Sequence, residues 1–494
     1  MLTRRDPVGK KMTRLTTTAE PPIVAPRQAD VAPESKNRAR DPYDPVDVDH
    51  ARWFFDSRYE GGNEVIAYIR PDNYFRDAAS AIRSATARGH FIEIAAWVLY
   101  IDMPLIFGDA STTLIELLTA ADAAGVAVRA LLWPGVIVRN NSGEVVLSLG
   151  YPRQQEQAAA FVNSLTNGYA IRDHRHLPSG SHHQKILVVN GSEGLVAFQG
   201  GIDINPDRRG DFHDVHTRLR GPAADRLHQV FYGRYVRHPD PSKKPIIHGQ
   251  PSRDLLPKQD LYVRTVRTYG NAVKHGFEDG QPSAHDVGEF GVRQLVLHAI
   301  AQARGFIYIE DQYLVDPEIS AALALALPRL EFVIILIPDA AAVDSELRIP
   351  RTKRQAFLSP LHASGPGKVF VFTGGSTYVH AKVWVFDDKF AIVGSANLNR
   401  RGMTHDSEQA CGIYDTNLQR QWFFAHELRM NLWAKHLGRS PLSLVDPRAG
   451  WDVWKMLPLA GVNARPYSAN PNDDPGKGFG DEYIWANFTD PDGS

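Results

Sequence analysis

The 494 residues contain a single cysteine, Cys411, and that scarcity excludes both an intrachain disulfide and a thiolate-ligated metal cluster. Long hydrophobic runs are missing too: nothing approaches the roughly 20 consecutive apolar residues that a membrane-spanning helix needs. The N-terminus lacks the apolar core of a secretory signal, because Thr, Pro and charged residues follow the twin arginine Arg4-Arg5. Charge of one sign is also absent. Lys plus Arg number 55 against 56 acidic residues, so the totals carry no broad nucleic-acid footprint and leave only a local basic site open. The expectation is a protein compatible with a reducing compartment, cytoplasmic or exported without a cleavable signal peptide, with peripheral contact to membranes open to it.

What is present is enough chain for more than one ordinary core. Residues 1–45, rich in Pro, Arg, Thr, Ala and Asp, read as a disordered leader. From there strands and amphipathic helices alternate: a helix over Asp77–Arg88, a central strand over Phe91–Tyr100, a helix over Thr112–Ala124, a strand over Val126–Trp133. The same order returns later, where Phe306–Leu314 (FIYIEDQYL) matches Phe91–Leu99 (FIEIAAWVL). The alternation predicts an α/β fold of two similar lobes, each a mixed sheet flanked by helices, related by a pseudo-twofold duplication with the site in the cleft between them. The expected boundaries are residues 46–255 for the first lobe, 256–440 for the second, and 441–494 for a tail packing on both. The Pro- and Lys-rich stretch 238–258 reads as the linker, and Gly270–Gly291 as a loop.

The chemistry sits in two related stretches. One runs from His380 to Asn397 (HAKVWVFDDKFAIVGSAN), the other from His183 to Asp203. Each opens with His and Lys two residues apart at the head of an apolar strand, so both side chains share a face. An imidazole can attack phosphorus or deliver a proton near neutral pH, and an ammonium can hold a phosphate oxygen. In the second copy the chain turns at Asp387-Asp388 and returns to Gly394, Ser395 and Asn397, small or polar groups that let an anion approach the backbone.

His380, Lys382, Asp387, Gly394, Ser395 and Asn397 resemble the phospholipase D superfamily signature (H-x-K-x4-D-x6-G-S-x-N) at every position. The first copy resembles it less closely: His183 and Lys185 fit, Asn190 stands where Asp is usual, extra residues precede Gly200-Gly201, and Asp203 takes the place of Asn397. GGIDI (200–204), HDVH (213–216), IEDQY (309–313) and DSE (406–408) extend the resemblance over residues 46–440. It implies that His183 attacks to give a phosphohistidine while His380 serves as acid and base, with Lys185 and Lys382 on the phosphate. Asp214 and Glu408 are the candidates to orient the imidazoles, as a nucleophilic ring needs a carboxylate on its second nitrogen. Ser395, Asn397, Asp203, Gly201, Gln312 and Trp97 are expected to line the substrate, with Glu310 also bordering the site; Asn190, Asp387 and Gly394 are expected to hold structure.

The implied activity is hydrolysis of a phosphatidyl lipid to phosphatidic acid and head group, or transfer to another alcohol, with no cofactor and no metal. His174, His176, His182, His213, His216 and His405 cluster near the first copy without carboxylates at ligand spacing, and read as loop or supporting residues. The implied partner is a phospholipid at a membrane surface, with nucleic acid disfavoured and the oligomeric state open. The alternatives are a nuclease of the same superfamily and a non-catalytic lipid- or phosphate-binding module. Arg348, Arg351, Lys353 and Arg354 read as a solvated helix face, and Cys411 as a packing residue.

Overall fold

The computed structural model describes residues 50–139, 142, 144–177, 179–210, 212–245, 261–270, 288–339, 351–416, 421–467 and 490. The leader over 1–45, most of the expected linker, the loop between 271 and 287, and Arg348 lie outside these residues.

In the first half the strands are β1 (Glu60–Tyr68), β2 (Phe91–Ala96), β3 (Ala127–Leu132), β4 (Gly168–Arg172), β5 (Ile186–Gly191), β6 (Gly194–Gly200) and β7 (His216–Arg220). In the second they are β8 (Leu261–Tyr269), β9 (Phe306–Glu310), β10 (Phe332–Ile337), β11 (Val369–Thr373), β12 (Val383–Phe386), β13 (Phe390–Gly394) and β14 (Glu408–Asp415). Across the sheet the order is β4, β3, β2, β5, β6, β7, β1, β8, β14, β13, β12, β9, β10, β11. Each strand of the first half thus has a counterpart seven labels later in the matching place. The orientations match as well: β2, β3 and β4 are parallel, as are β9, β10 and β11, and the other neighbours are antiparallel.

The two halves do not keep separate sheets. β1 pairs with β8, Glu60 opposite Val263 and Asn63 opposite Leu261, so the halves form one 16-stranded sheet, which also takes in two short strands, Glu289–Phe290 beside β8 and Arg465–Pro466 beside β11. Pairing β1 with β8 covers what would otherwise be two exposed strand edges.

Parallel central strands must bury both faces, and β2, β3 and β10 are buried at every position. Helices α1 (Pro71–Ser84), α2 (Leu114–Ala123) and α3 (Pro152–Ser164) cover one face of the first half. Helices α5 (Gly291–Gln302), α6 (Pro317–Ala326) and α7 (Arg351–Ser364) do so for the second. On the opposite face α4 (Pro222–Val236) and α8 (Phe424–Leu437) bury Leu227, Phe231, Leu432 and Trp433 in one apolar layer running under both halves. Helix α1 begins six residues earlier than its periodicity suggested, because Pro71 supplies a preset first-turn φ, and it ends at Ser84. Arg354 on α7 is buried rather than solvated, donating to the carbonyls of Gln312 and Tyr313.

The turn between β12 and β13 fixes the second motif. Asp387 and Asp388 both take left-handed backbone (φ 54° and 55°). The Asp387 carboxylate turns back to accept from the backbone N–H groups of Arg304, Gly305 and Phe306, each at 2.8 Å. That locks β12 to the start of β9. Asp387→Ala leaves three donors without a partner, two of them buried, and is expected to destabilise the fold by about 3 kcal/mol, with Asp387→Asn milder, measured as a shift in urea midpoint at unchanged m value.

Candidate active site

Each His–Lys pair lies on the segment entering a strand, His183 and Lys185 before β5 and His380 and Lys382 before β12. The backbones of these segments are held by the opposite half. His183 N–H donates to the Ser407 carbonyl at 2.9 Å, one residue before Glu408. His380 N–H donates to the His213 carbonyl at 2.8 Å, one residue before Asp214, and Tyr378-Val379 pairs in parallel with Phe212-His213.

This exchange carries the side chains with it. His183 Nδ1 lies 2.9 and 3.0 Å from the two Glu408 oxygens, and His380 Nδ1 lies 2.7 Å from Asp214 Oδ2. Each half therefore supplies the carboxylate that orients the other half's imidazole. With Nδ1 tied to a carboxylate, Nε2 of each ring is the atom left for chemistry.

The lysines behave alike. Lys185 Nζ donates to the His183 carbonyl at 2.9 Å, and Lys382 Nζ to that of His380. All four acid, base and cationic groups are nearly or wholly buried. Burial, the leading cause, drives both imidazoles well below their ordinary range, assisted by Lys185 at His183 and by Arg208 at His380. It also raises Asp214 to about 6 and pushes Glu408 up. The free enzyme at neutral pH thus presents unprotonated Nε2 atoms between two ammonium groups.

Burial lowers Lys382 to about 8, against the opposing pull of Asp214 and Asp311. The protonated ammonium is the form that neutralises a phosphate, so activity is lost as pH rises through that value. We expect kcat/KM to fall about tenfold per pH unit above 8, and Lys382→Arg to remove this basic limb whatever its cost in rate. A pH–rate profile on a short-chain substrate checks both.

The remaining expected residues divide. Asn397 has its Oδ1 buried without a partner among the described residues. Trp97 faces the site, its ring 5.8 Å from the His183 ring and 5.6 Å below Lys185 Nζ, and it stacks on Trp133 at 5.5 Å. Asp203 lies 3.5 Å from Lys185 Nζ. Ser395, by contrast, is 1% exposed and donates to Glu408 Oε2 at 2.5 Å while accepting from Gln409 N–H, so it steadies the acid behind His183. Gly201 makes room for the other acid: a Cβ there falls 2.0 Å from Asp214 Oδ1. Gln312 donates to the Tyr378 hydroxyl, two residues before His380. Asn190 lies opposite Phe91 at the end of β5, and Gly394 packs closely on Gln409 and Ala410, both away from the reacting atoms.

Glu310, expected from the resemblance to border the site, lies buried behind it. It is fully buried, accepting from His213 Nε2 at 2.6 Å, His436 Nε2 at 2.9 Å and the Tyr308 hydroxyl. Lys435 Nζ closes the network on His213 Nδ1 at 2.6 Å. The ligand atoms of His213, Glu310 and His436 lie within 4.8 Å of one another, yet hydrogen bonds satisfy them as they stand. They clamp the strand that leads into Asp214. Arg208, a residue the repeat comparison did not single out, projects into the same centre, 3.5 Å from His380 Nε2.

Two imidazoles backed by carboxylates and flanked by buried ammonium groups are able to supply a nucleophile and a separate proton donor, which is what cleavage of a phosphodiester requires. Residues 296–424 match the family described as "Cardiolipin synthase, PLD-like domain". The chain is 23% identical to phospholipase D alpha 1 of Ricinus communis, over 81% of this chain and 68% of that one, and 22% identical to its Arabidopsis thaliana counterpart, over 76% and 65%. It thus spans about two thirds of the length of these relatives. Among solved structures, phosphatidylserine synthase of Haemophilus influenzae superposes with a TM-score of 0.48 at 17% identity, covering 72% of this chain and 83% of that one. The family match and these relatives support a place in the phospholipase D superfamily.

Proposed function

We propose that the protein cleaves the phosphodiester of glycerophospholipids on the head-group side, releasing phosphatidic acid and an alcohol, and transfers the phosphatidyl group to a primary alcohol when one is present. The observation that carries this reading is the pair of crossed His–carboxylate contacts around two lysines. His183 Nε2 attacks phosphorus, Lys185 and Lys382 offset the charge of the phosphoryl oxygens, and the P–O bond to the head group breaks as His380, having taken a proton from solvent onto Nε2 once substrate is bound, gives it to the leaving oxygen. His380 then takes a proton from water or alcohol, whose oxygen attacks phosphorus and breaks the P–N bond. The pairing of each ring with a carboxylate favours turnover over passive binding.

Lipid is favoured over nucleic acid by what borders His183. Trp97 stacks on Trp133, which abuts Gly150 at the foot of a hairpin (Val136–Arg139 with Val145–Leu149) exposing Ile137 and Val145. An apolar edge beside the site suits a lipid surface better than a polyanion. No helix among the described residues is long and apolar enough to cross a membrane, which fits contact from one side. The test is product analysis on phosphatidylcholine vesicles with and without ethanol, alongside single- and double-stranded DNA. Phosphatidic acid, with phosphatidylethanol appearing at its expense, is expected; cleavage of DNA alone would replace this reading with the nuclease, and binding without either product would replace it with a binding module.

A further inference from the structure

Arg208 is a buried charged group in the centre whose hydrogen bonding is visibly incomplete. It leaves the short turn Pro206–Arg208, which is capped by the Asn205 side chain on Asp207 N–H, and runs inward over the Phe212 ring, 4.7 Å from its centroid. The residue is 5% exposed. A guanidinium carries five N–H donors. Here one terminal nitrogen makes two long contacts, 3.4 Å to Asp203 Oδ2 and 3.5 Å to His380 Nε2, while the buried Nε has no partner. Buried cations are normally satisfied by closer acceptors, and an unsatisfied one marks a place for a ligand.

In the second half Arg401, whose charge also acts on His183, is instead tied to Asp406 at 2.8 and 3.0 Å. Five positions after Asn397, where Arg208 follows Asp203, stands Gly402. The acid at Asp203 then has a reason: it faces two cations, Lys185 at 3.5 Å and Arg208 at 3.4 Å. Arg208 also touches the atom that must carry the proton, and a guanidinium can donate to that lone pair but never accept from it. While the contact stands, Nε2 of His380 is kept free of a proton. The groups around His380 are Asp214 on Nδ1, Arg208 on Nε2, and Lys382, Lys185 and His183 nearby.

We infer that Arg208 is a phosphate ligand which rests against His380 Nε2 in the free enzyme and moves onto a phosphoryl oxygen when substrate arrives, leaving His380 free to take up the proton it gives to the leaving group. This rests on the phosphodiesterase reading of the site. It couples arming of the acid to occupancy of the phosphate position, so that the proton is held only when there is a bond to break. The fork of Arg208 spans two oxygens where each lysine offers a point charge.

Inorganic phosphate is the probe that separates this from lipid turnover. In the wild-type chain, saturating phosphate is expected to move the His380 titration upward by at least half a pH unit, read from imidazole 15N shifts, and an unmoved titration overturns the proposal without any variant. Arg208→Gln is expected to weaken phosphate binding about 30-fold by calorimetry, raise the His380 titration in the free protein, and lower kcat/KM on a short-chain phospholipid by about 10²–10³. Arg208→Lys should recover part of the phosphate affinity. If Arg208→Gln binds phosphate as wild type does and leaves His380 unchanged, the residue is structural and the inference fails. Should the wild type turn over no lipid while its phosphate affinity depends on Arg208, the substrate reading falls and the role of Arg208 stands.

Discussion

Replacing His183 by Ala is expected to lower kcat by at least about 10⁴, because on the proposed mechanism the variant loses the atom that bonds to phosphorus and not merely a contact to it. Replacing His380 by Ala is expected to cost about as much on a natural phospholipid, so rates alone will not separate the two. A better leaving group will. A p-nitrophenyl phosphodiester needs no proton donor, so His380→Ala should still form the covalent adduct in a burst, with nitrophenol released once per site and the phosphoryl group trapped on His183. His183→Ala should give no burst with either substrate. Mass spectrometry of the quenched protein locates the adduct; a phosphorylated His380 in the His183→Ala protein would reverse the two roles.

The sequence made the strands and the second motif readable because both are local. Phe306–Glu310 and Phe332–Ile337 are short apolar runs bounded by breaks, and Asp387-Asp388 turns the chain in a left-handed conformation that Asp tolerates. The residues of His380–Asn397 are neighbours in sequence, so their spacing encodes their geometry. The exchange of acids is a different matter. Asp214 and Glu408 were legible as carboxylates that follow the histidines, but which ring each serves depends on pairing between Val379 and His213, and between His183 and Ser407, contacts more than 160 residues apart. Glu310 was misplaced for a related reason. Its position at a strand end suggested the rim, and only the approach of His213 and His436 from distant segments turns it into a buried clamp. Arg208 left a fainter signal: it lies outside the repeated words, and the second half has Gly402 at the same offset, with its arginines one and two positions earlier.

The crossed pairing makes a prediction that pairing within each half cannot share. Glu408 serves His183, so Glu408→Gln should slow adduct formation even with the p-nitrophenyl substrate, by about 10²–10⁴, as expected when an imidazole loses the carboxylate that fixes its tautomer. Asp214 serves His380, so Asp214→Asn should cost a similar factor on a choline phospholipid but spare the burst with p-nitrophenol, where no acid is needed. Pre-steady-state bursts for both variants on both substrates supply the four rates. If each acid worked within its own half, the two phenotypes would change places, with Asp214→Asn suppressing the nitrophenol burst. An exchange of this kind also means that neither half can be catalytic alone: a chain cut between β7 and β8 would leave each histidine without its acid, and activity would return only when both fragments re-form the β1–β8 edge.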